Sequence, residues 1–325
     1  MSRFVIIDGH AILYRAYHAI PPLNAKDGRP INAVYGFMSM MLRVMEVLQP
    51  THLAVVFDRP GGTFRNKLFK DYQAQRPKAD DEFISQIATV HEVLDAAGIA
   101  VFEMDGYEAD DVIGTLVSRV AEMPNAKLPA SPAGRQISNE GIESIIVTGD
   151  RDLLQLASQH VKLYMPMKNL SEAKLYGVDE AKERMGVEPR LIPDFKALAG
   201  DPSDNIPGVS GIGPKTAAKL ITTFGSVENL YEHLADVDKV AVREKLLKHK
   251  DDAVMSKKLA TIICDAPIEF SLEQCGVPDL VQPDFIEYLH TLGFSSLIRR
   301  LTGKPTNKIV EKKEEKKESE QMGLF

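Results

Sequence analysis

Glu108, Asp110 and Asp111 place three carboxylates within four residues. Two unit charges about 4 Å apart repel by roughly 1 kcal/mol in water and about 4 kcal/mol at an effective dielectric of 20. A chain keeps such a cluster either on a well-solvated surface or around a cation. The acids open a stretch in which Val112, Leu116, Val117 and Val120 form an apolar stripe at helical spacing, and carboxylates suit a helix N-terminus for reasons of capping and dipole alone. Further acids weigh against that simpler reading. Asp8, Asp58 and Asp150 each stand just beyond a short apolar run, Asp152 follows, and Asp201 and Asp204 lie in the turn-rich segment Gly200-Asp201-Pro202-Ser203-Asp204-Asn205. All nine offer carboxylate oxygen, with no His or Cys in the set. Oxygen-only ligands favour Mg²⁺, with Mn²⁺ able to substitute, over Zn²⁺. Nine acids exceed the needs of one ion, so two are expected, and paired ions of this kind clamp the attacking and leaving oxygens of phosphoryl transfer.

The elements that must carry these acids alternate. Apolar runs at 4–7, 53–57, 99–102 and 145–147 read as buried strands, separated by helical patterns at 34–48, about 63–72, 80–97 and the stripe after Asp111. A further helical stretch carries Ile12, Leu13, Tyr14 and Tyr17 and stops at Pro21-Pro22, and another short helix is expected at 153–157. This order predicts an α/β fold with a mostly parallel sheet. The acids beyond strand ends then line one sheet edge, where such folds bind ligands. From 171 the texture changes to short helices and turns. The 124–141 stretch reads as a flexible loop, and the Lys/Glu-rich chain beyond 302 as a disordered tail.

Hydrophobic residues make up 44% and charged residues 26% of the 325, as in soluble globular proteins. Cys264 and Cys275 are the only cysteines, so no disulfide framework is implied. No run approaches a membrane span, and 4–7 is too short for a signal peptide, so a cytoplasmic protein is expected. A net charge of −7 argues against a nucleic-acid partner, but setting the nine acids aside leaves +2. Residues 63–76 mix Phe64, Phe69 and Tyr72 with Arg65, Lys67, Lys70 and Arg76, and Phe64, Leu68 and Tyr72 form an i, i+4 stripe. The basic side chains would either meet phosphates or form a solvated helix face. Gly208-Val209-Ser210-Gly211-Ile212-Gly213-Pro214-Lys215-Thr216 lacks the pattern G-x-x-x-x-G-K-[ST]. It suits a hairpin whose N–H groups grip a backbone phosphate, or a plain interhelical turn.

Residues 4–9, 55–58, 107–111, 148–152 and 200–213 resemble, in order and spacing, the acidic blocks of the 5′-nuclease family, which includes flap endonucleases and the N-terminal 5′→3′ exonuclease domain of bacterial DNA polymerase I. The resemblance runs from about residue 2 to 302. It implies a PIN-like core at 1–170 with a mobile arch at about 60–97, a helix–three-turn–helix (helix-hairpin-helix-like) subdomain at 171–302, and a tail at 303–325. It implies two divalent metals held by Asp8, Asp58, Glu108, Asp110, Asp111, Asp150, Asp152, Asp201 and Asp204. It further implies hydrolysis of DNA at 5′-flap, nicked or gapped duplex and RNA-primer junctions, in replication and repair. Gly208, Gly211, Gly213, Lys215 and Thr216 would bind the duplex, with K⁺ at the hairpin. Arg65 and Arg76 match positions that contact the scissile region. Gln73 departs from the usual Lys there, which leaves Lys70 or Lys67 to supply that charge. Gln321-Met322-Gly323-Leu324-Phe325 resembles the bacterial sliding-clamp-binding peptide, with Gln321, Met322, Leu324 and Phe325 as its anchors. A monomer associated with the nucleoid is expected. The alternatives are a catalytically weak or inactive structure-specific DNA-binding factor and an RNase of the wider PIN group.

Overall fold

The computed structural model describes residues 2–123, 141–167 and 173–303. Six strands form one sheet: β1 (Arg3–Asp8), β2 (His52–Val56), β3 (Ala100–Phe102), β4 (Glu143–Val147), β5 (Val161–Pro166) and β6 (Ala173–Tyr176). Their spatial order is β3-β2-β1-β4-β5-β6. The first five are parallel, and β6 runs antiparallel to β5. The chain steps from β1 outward to β3, then resumes with β4 on the other side of β1. That reversal opens a crevice at the carboxyl ends of β1 and β4.

Strand alternation decides the layers. Val5 and Ile7 face the helices α1 (Gly9–Ala19), α2 (Asn32–Leu48) and α4 (Asp81–Ala96), while Phe4 and Ile6 face α5 (Ala109–Glu122). Between α2 and α4 lies the short α3 (Phe64–Leu68). After β6 come α6 (Val178–Met185), α7 (Ile192–Ala199), α8 (Pro214–Phe224), α9 (Val227–Glu232), α10 (Val240–Lys248) and α11 (Lys250–Ala260). These extend the α5-side core, with Leu198, Ile221, Leu230 and Leu246 all buried in it. The last helices, α12 (Pro283–Thr291) and α13 (Ser295–Thr302), return to the opposite face, where Phe285, Leu289 and Leu297 join the α2–α4 core.

Four expectations need correction. The boundary at 170 cuts the sheet, because β6 pairs with β5; polar Lys174 and exposed Leu175 hide that strand from pattern reading. The 171–302 segment is not one subdomain, since 283–302 packs on the N-terminal core. The stripe at 64, 68 and 72 is not a helix face. The α3 helix stops after Leu68, leaving that leucine exposed, and Tyr72 turns inward to be buried. The 153–157 helix is a 3₁₀ turn, Asp152–Leu156. The 124–140 part of the expected loop and the tail with Gln321, Met322, Leu324 and Phe325 lie outside the described residues. Among the described residues no helix is long and apolar enough to cross a membrane.

Candidate active site

Seven of the nine acids line one cavity beside the strand ends. Asp8 is both the last residue of β1 and the N-cap of α1: its Oδ1 accepts from Ala11 N–H at 3.0 Å and its Oδ2 from Thr148 Oγ1 at 2.7 Å. Gly9 lets α1 start there, since a Cβ would lie 2.4 Å from the Phe57 ring. Asp58, two residues past β2, accepts from Ala109 N–H at 2.7 Å and so ties that strand end to the start of α5. Asp150 accepts from Asp152 N–H at 2.8 Å. Glu108 accepts from Thr63 Oγ1 at 3.3 Å and Tyr72 OH at 3.2 Å. Oxygens of Asp152, Asp201 and Asp204 lie within 4.8 Å of one another. A cavity of about 780 Å³ opens beside this rim, with Asp8, Asp58, Glu108, Asp110, Asp150, Asp152 and Asp204 among its lining residues. Tyr14, Tyr17, Phe83, Arg76 and Lys78 also line it.

The electrostatics are those of a carboxylate set short of positive charge. Burial, with the repulsion of Asp58 and Asp150, pushes Asp8 up to about 7. Burial, together with Asp111, Asp58 and Asp204, raises Glu108 to about 7 against the pull of Arg65. Asp152 rises to about 6, chiefly through burial. Asp110 rises well above its ordinary value, first through burial and then through Asp150, Asp8, Asp152 and Asp58. No hydrogen-bond donor reaches Asp110 among the described residues. An all-oxygen rim with an undonated carboxylate at its centre fits hard divalent cations. Lys196, buried on α7, already bridges Asp152 and Asp201. Burial works against its charge, but the two carboxylates hold its ammonium above the ordinary range. Lysine within the apolar run 192–198 was the available sequence signal for this residue.

Several expected roles change. Asp111 belongs to no open ligand set: it is fully buried, and Arg65 Nη1 and Nη2 donate to its two oxygens at 2.7 and 2.8 Å. Glu108 N–H and Ile263 N–H fill its remaining lone pairs at 3.1 and 2.8 Å. Arg65, 2% exposed, is spent on Asp111, Leu259 O and Thr261 O, so its guanidinium is not presented to a phosphate. Lys70 and Lys67 are exposed and do not line the cavity. Gln73, held at φ 56° with its N–H on Asp204 O, turns its amide to Tyr72 OH and Asp204. Arg76 does line the cavity and pairs with Asp204 at 2.5 Å. Lys78, which the sequence reading passed over, lines it with no acid partner among the described residues.

The 208–216 segment joins α7 to α8. Gly208 is buried at φ 62°, where a Cβ would stand 2.2 Å from Gly200 N, and its N–H goes to Ser256 Oγ at 3.0 Å. It is therefore a close-packing glycine, with no N–H left for a phosphate. Val209 and Ile212 point inward, while Gly211, Gly213 and Lys215 are exposed and Thr216 half-buried at the start of α8. Lys245 on α10 donates to Gly211 O at 3.0 Å, placing a second cation beside the turn.

Comparison with known proteins places this arrangement. Residues 3–129 match the model of the 5′-3′ exonuclease N-terminal resolvase-like domain, and 187–282 that of the 5′-3′ exonuclease C-terminal SAM fold. A 5′-3′ exonuclease of Aquifex aeolicus is 38% identical over 282 residues, covering 86% of this chain and 89% of that protein. The chain belongs to the 5′-3′ exonuclease family. DNA polymerase I of Caldicellulosiruptor bescii is 41% identical over 301 residues, 92% of this chain, and the chain spans about a third of the length of such polymerase relatives. The fold is that of T5 5′-exonuclease, solved with zinc bound (TM-score 0.64, 18% identity, 93% of this chain and 97% of that one). The catalytic core of Rad2 in complex with DNA substrate also shares it (TM-score 0.52, 19% identity, 94% and 88%).

Proposed function

We propose that this 5′-3′ exonuclease-family chain is a Mg²⁺-dependent, structure-specific 5′-nuclease that hydrolyses DNA phosphodiesters at 5′-flap junctions. The observation that carries the reading is Asp110, undonated and ringed by four other carboxylates, at the edge of the cavity. Asp8, Asp58, Glu108, Asp110 and Asp150 would hold one cation, and Asp152, Asp201 and Asp204 a second. Bound divalent cations supply Lewis-acid stabilisation of the charge that builds on a phosphodiester under attack by water. The chain's own residues do the positioning. Thr148 and Ala11 N–H fix the Asp8 carboxylate, while Thr63 and Tyr72 fix Glu108. Lys78, and Arg76 from its pairing with Asp204, would offer cations to the phosphate. Gly211, Gly213, Lys215 and Thr216 would seat the duplex backbone, with Lys245 beside them and K⁺ a further candidate there. A T5 flap endonuclease of the same fold, solved as a product complex with DNA and metal ions, supports this reading.

The test is cleavage of a 5′-flap oligonucleotide with and without Mg²⁺, with products mapped. Mg²⁺-dependent cuts at the junction leaving 5′-phosphates are expected; an inert protein that still binds the junction would instead identify a non-catalytic binding factor. Gln321, Met322, Leu324 and Phe325 are proposed to bind a bacterial sliding clamp. Deletion of 321–325 should then abolish clamp capture in a pull-down, and undiminished capture would end that proposal.

A further inference from the structure

Residues 259–263 make an unbroken series of main-chain hydrogen bonds to side chains from the acid-bearing half. Leu259 O and Thr261 O accept from Arg65 Nε and Nη2 at 2.8 and 2.9 Å. Ala260 O accepts from Gln155 Nε2 at 3.1 Å, and Ile262 N–H donates to Gln155 Oε1 at 3.0 Å. Ile263 N–H donates to Asp111 Oδ1 at 2.8 Å. Each side chain stands beside a rim acid: Gln155 is three residues past Asp152, Asp111 follows Asp110, and Arg65 lies 3.3 Å from Glu108. The backbones are also pressed together, since a Cβ on Gly114 of α5 would lie 2.7 Å from Ile262 Cγ2 and 3.1 Å from Ile263 O. On its other side the segment continues α11, whose Ser256 hydroxyl receives the Gly208 N–H. The Asp111–Arg65 unit owes part of its saturation to this stretch, through Ile263 N–H, Leu259 O and Thr261 O. All three side chains, Arg65, Gln155 and Asp111, converge on one five-residue stretch between the hairpin and the rim.

We propose that 259–263 is the junction that sets the acid rim in place from the hairpin side, with Arg65 and Gln155 as its positioning residues. The proposal rests on the nuclease reading above and adds how that site is held. Seating of a duplex on 208–216 would bear on α11 through Ser256, and the junction would pass that constraint to Glu108, Asp110 and Asp152. A misplacement of about 1 Å at reacting groups costs up to about a hundredfold in rate, so loss of the junction acts on turnover before it acts on DNA binding.

The experiment uses the full chain and two variants. Arg65→Lys keeps a buried cation but loses the planar fork, and Gln155→Met removes the second clamp without touching a carboxylate. Melting, 5′-flap affinity with Ca²⁺, single-turnover cleavage with Mg²⁺ and Mn²⁺ binding by calorimetry are measured for each. In Arg65→Lys, cleavage should fall about 30-fold and Mn²⁺ affinity about tenfold, with flap affinity within about threefold of the parent. Gln155→Met should move the same way by about fivefold. If Arg65→Lys does not fold, Gln155→Met decides. Cleavage and Mn²⁺ affinity unchanged in the folded variants, or lost only in proportion to unfolded protein, would overturn the junction. A parent that fails to cut flaps would sink the nuclease reading instead, and the Mn²⁺ shift would then judge the junction alone.

Discussion

Asp110 and Asp111 share one turn of α5 and have opposite surroundings. The rim side, with Asp110, is a set of carboxylates for which the chain supplies too few donors and cations. The junction side, with Asp111, is saturated: a bidentate guanidinium and two N–H groups leave nothing over. Where the protein saturates a carboxylate with a cation and N–H donors together, as at Asp111, the acid is structural. Where it does not, the deficit marks the place where something from outside belongs. Burying an unpaired charge is costly and persists only where function needs it.

Exchanging the two neighbours should break this contrast most sharply. Asp110→Asn is expected to lower flap cleavage about a thousandfold or more while raising the melting temperature of the metal-free protein, because it removes a repelled, undonated charge. Asp111→Asn should do the reverse. Stability should fall by about 3 kcal/mol, since one partner of a buried pair is left without its countercharge, and melting by roughly 5–10 °C. Equal melting shifts for the two variants would erase the distinction.

The next effect concerns pH. Asp8 and Glu108 stand at about 7 and Asp152 at about 6 in the folded metal-free protein, all above the ordinary carboxylate range. The folded state thus keeps protons that the unfolded chain releases earlier, so these groups favour folding at low pH and that contribution is lost as pH rises through 6–7. Metal-free protein should melt several degrees lower at about pH 8 than at about pH 5.5. Mg²⁺ should restore melting at the higher pH and do little at the lower, because the ligands must be deprotonated. A flat profile without metal would mean the rim is already neutralised.

The smallest effect separates free cations from spent ones. Lys78→Ala should slow cleavage about five- to tenfold and reduce the salt dependence of flap binding by about one phosphate contact. Arg59, which lines the same cavity but is engaged by Glu103 and Asp105, should change little when truncated. Equal effects at the two positions would show that lining the cavity, rather than lacking a partner, is what matters.

The sequence by itself determined the alternating strands, the acids that follow them and their all-oxygen chemistry. These depend on local pattern: apolar period, strand-end position and residue type. It also marked 200–216 as a special turn. Only the tertiary structure decided which acids are open and which are sealed, because that depends on partners far away in sequence. Arg65 reaches Asp111 across 46 residues and Thr261 across 196. The same holds for Gly208, whose φ and contact with Gly200 turn an expected phosphate grip into packing, and for Lys70, which is exposed and does not line the cavity, whereas Lys78 does. β6 and the return of α12 and α13 were equally hidden, since an edge strand needs no strong apolar alternation and an amphipathic helix does not announce which core it will cover. Residue type limits what a side chain is able to do, and its distant neighbours decide whether it is left free to do it.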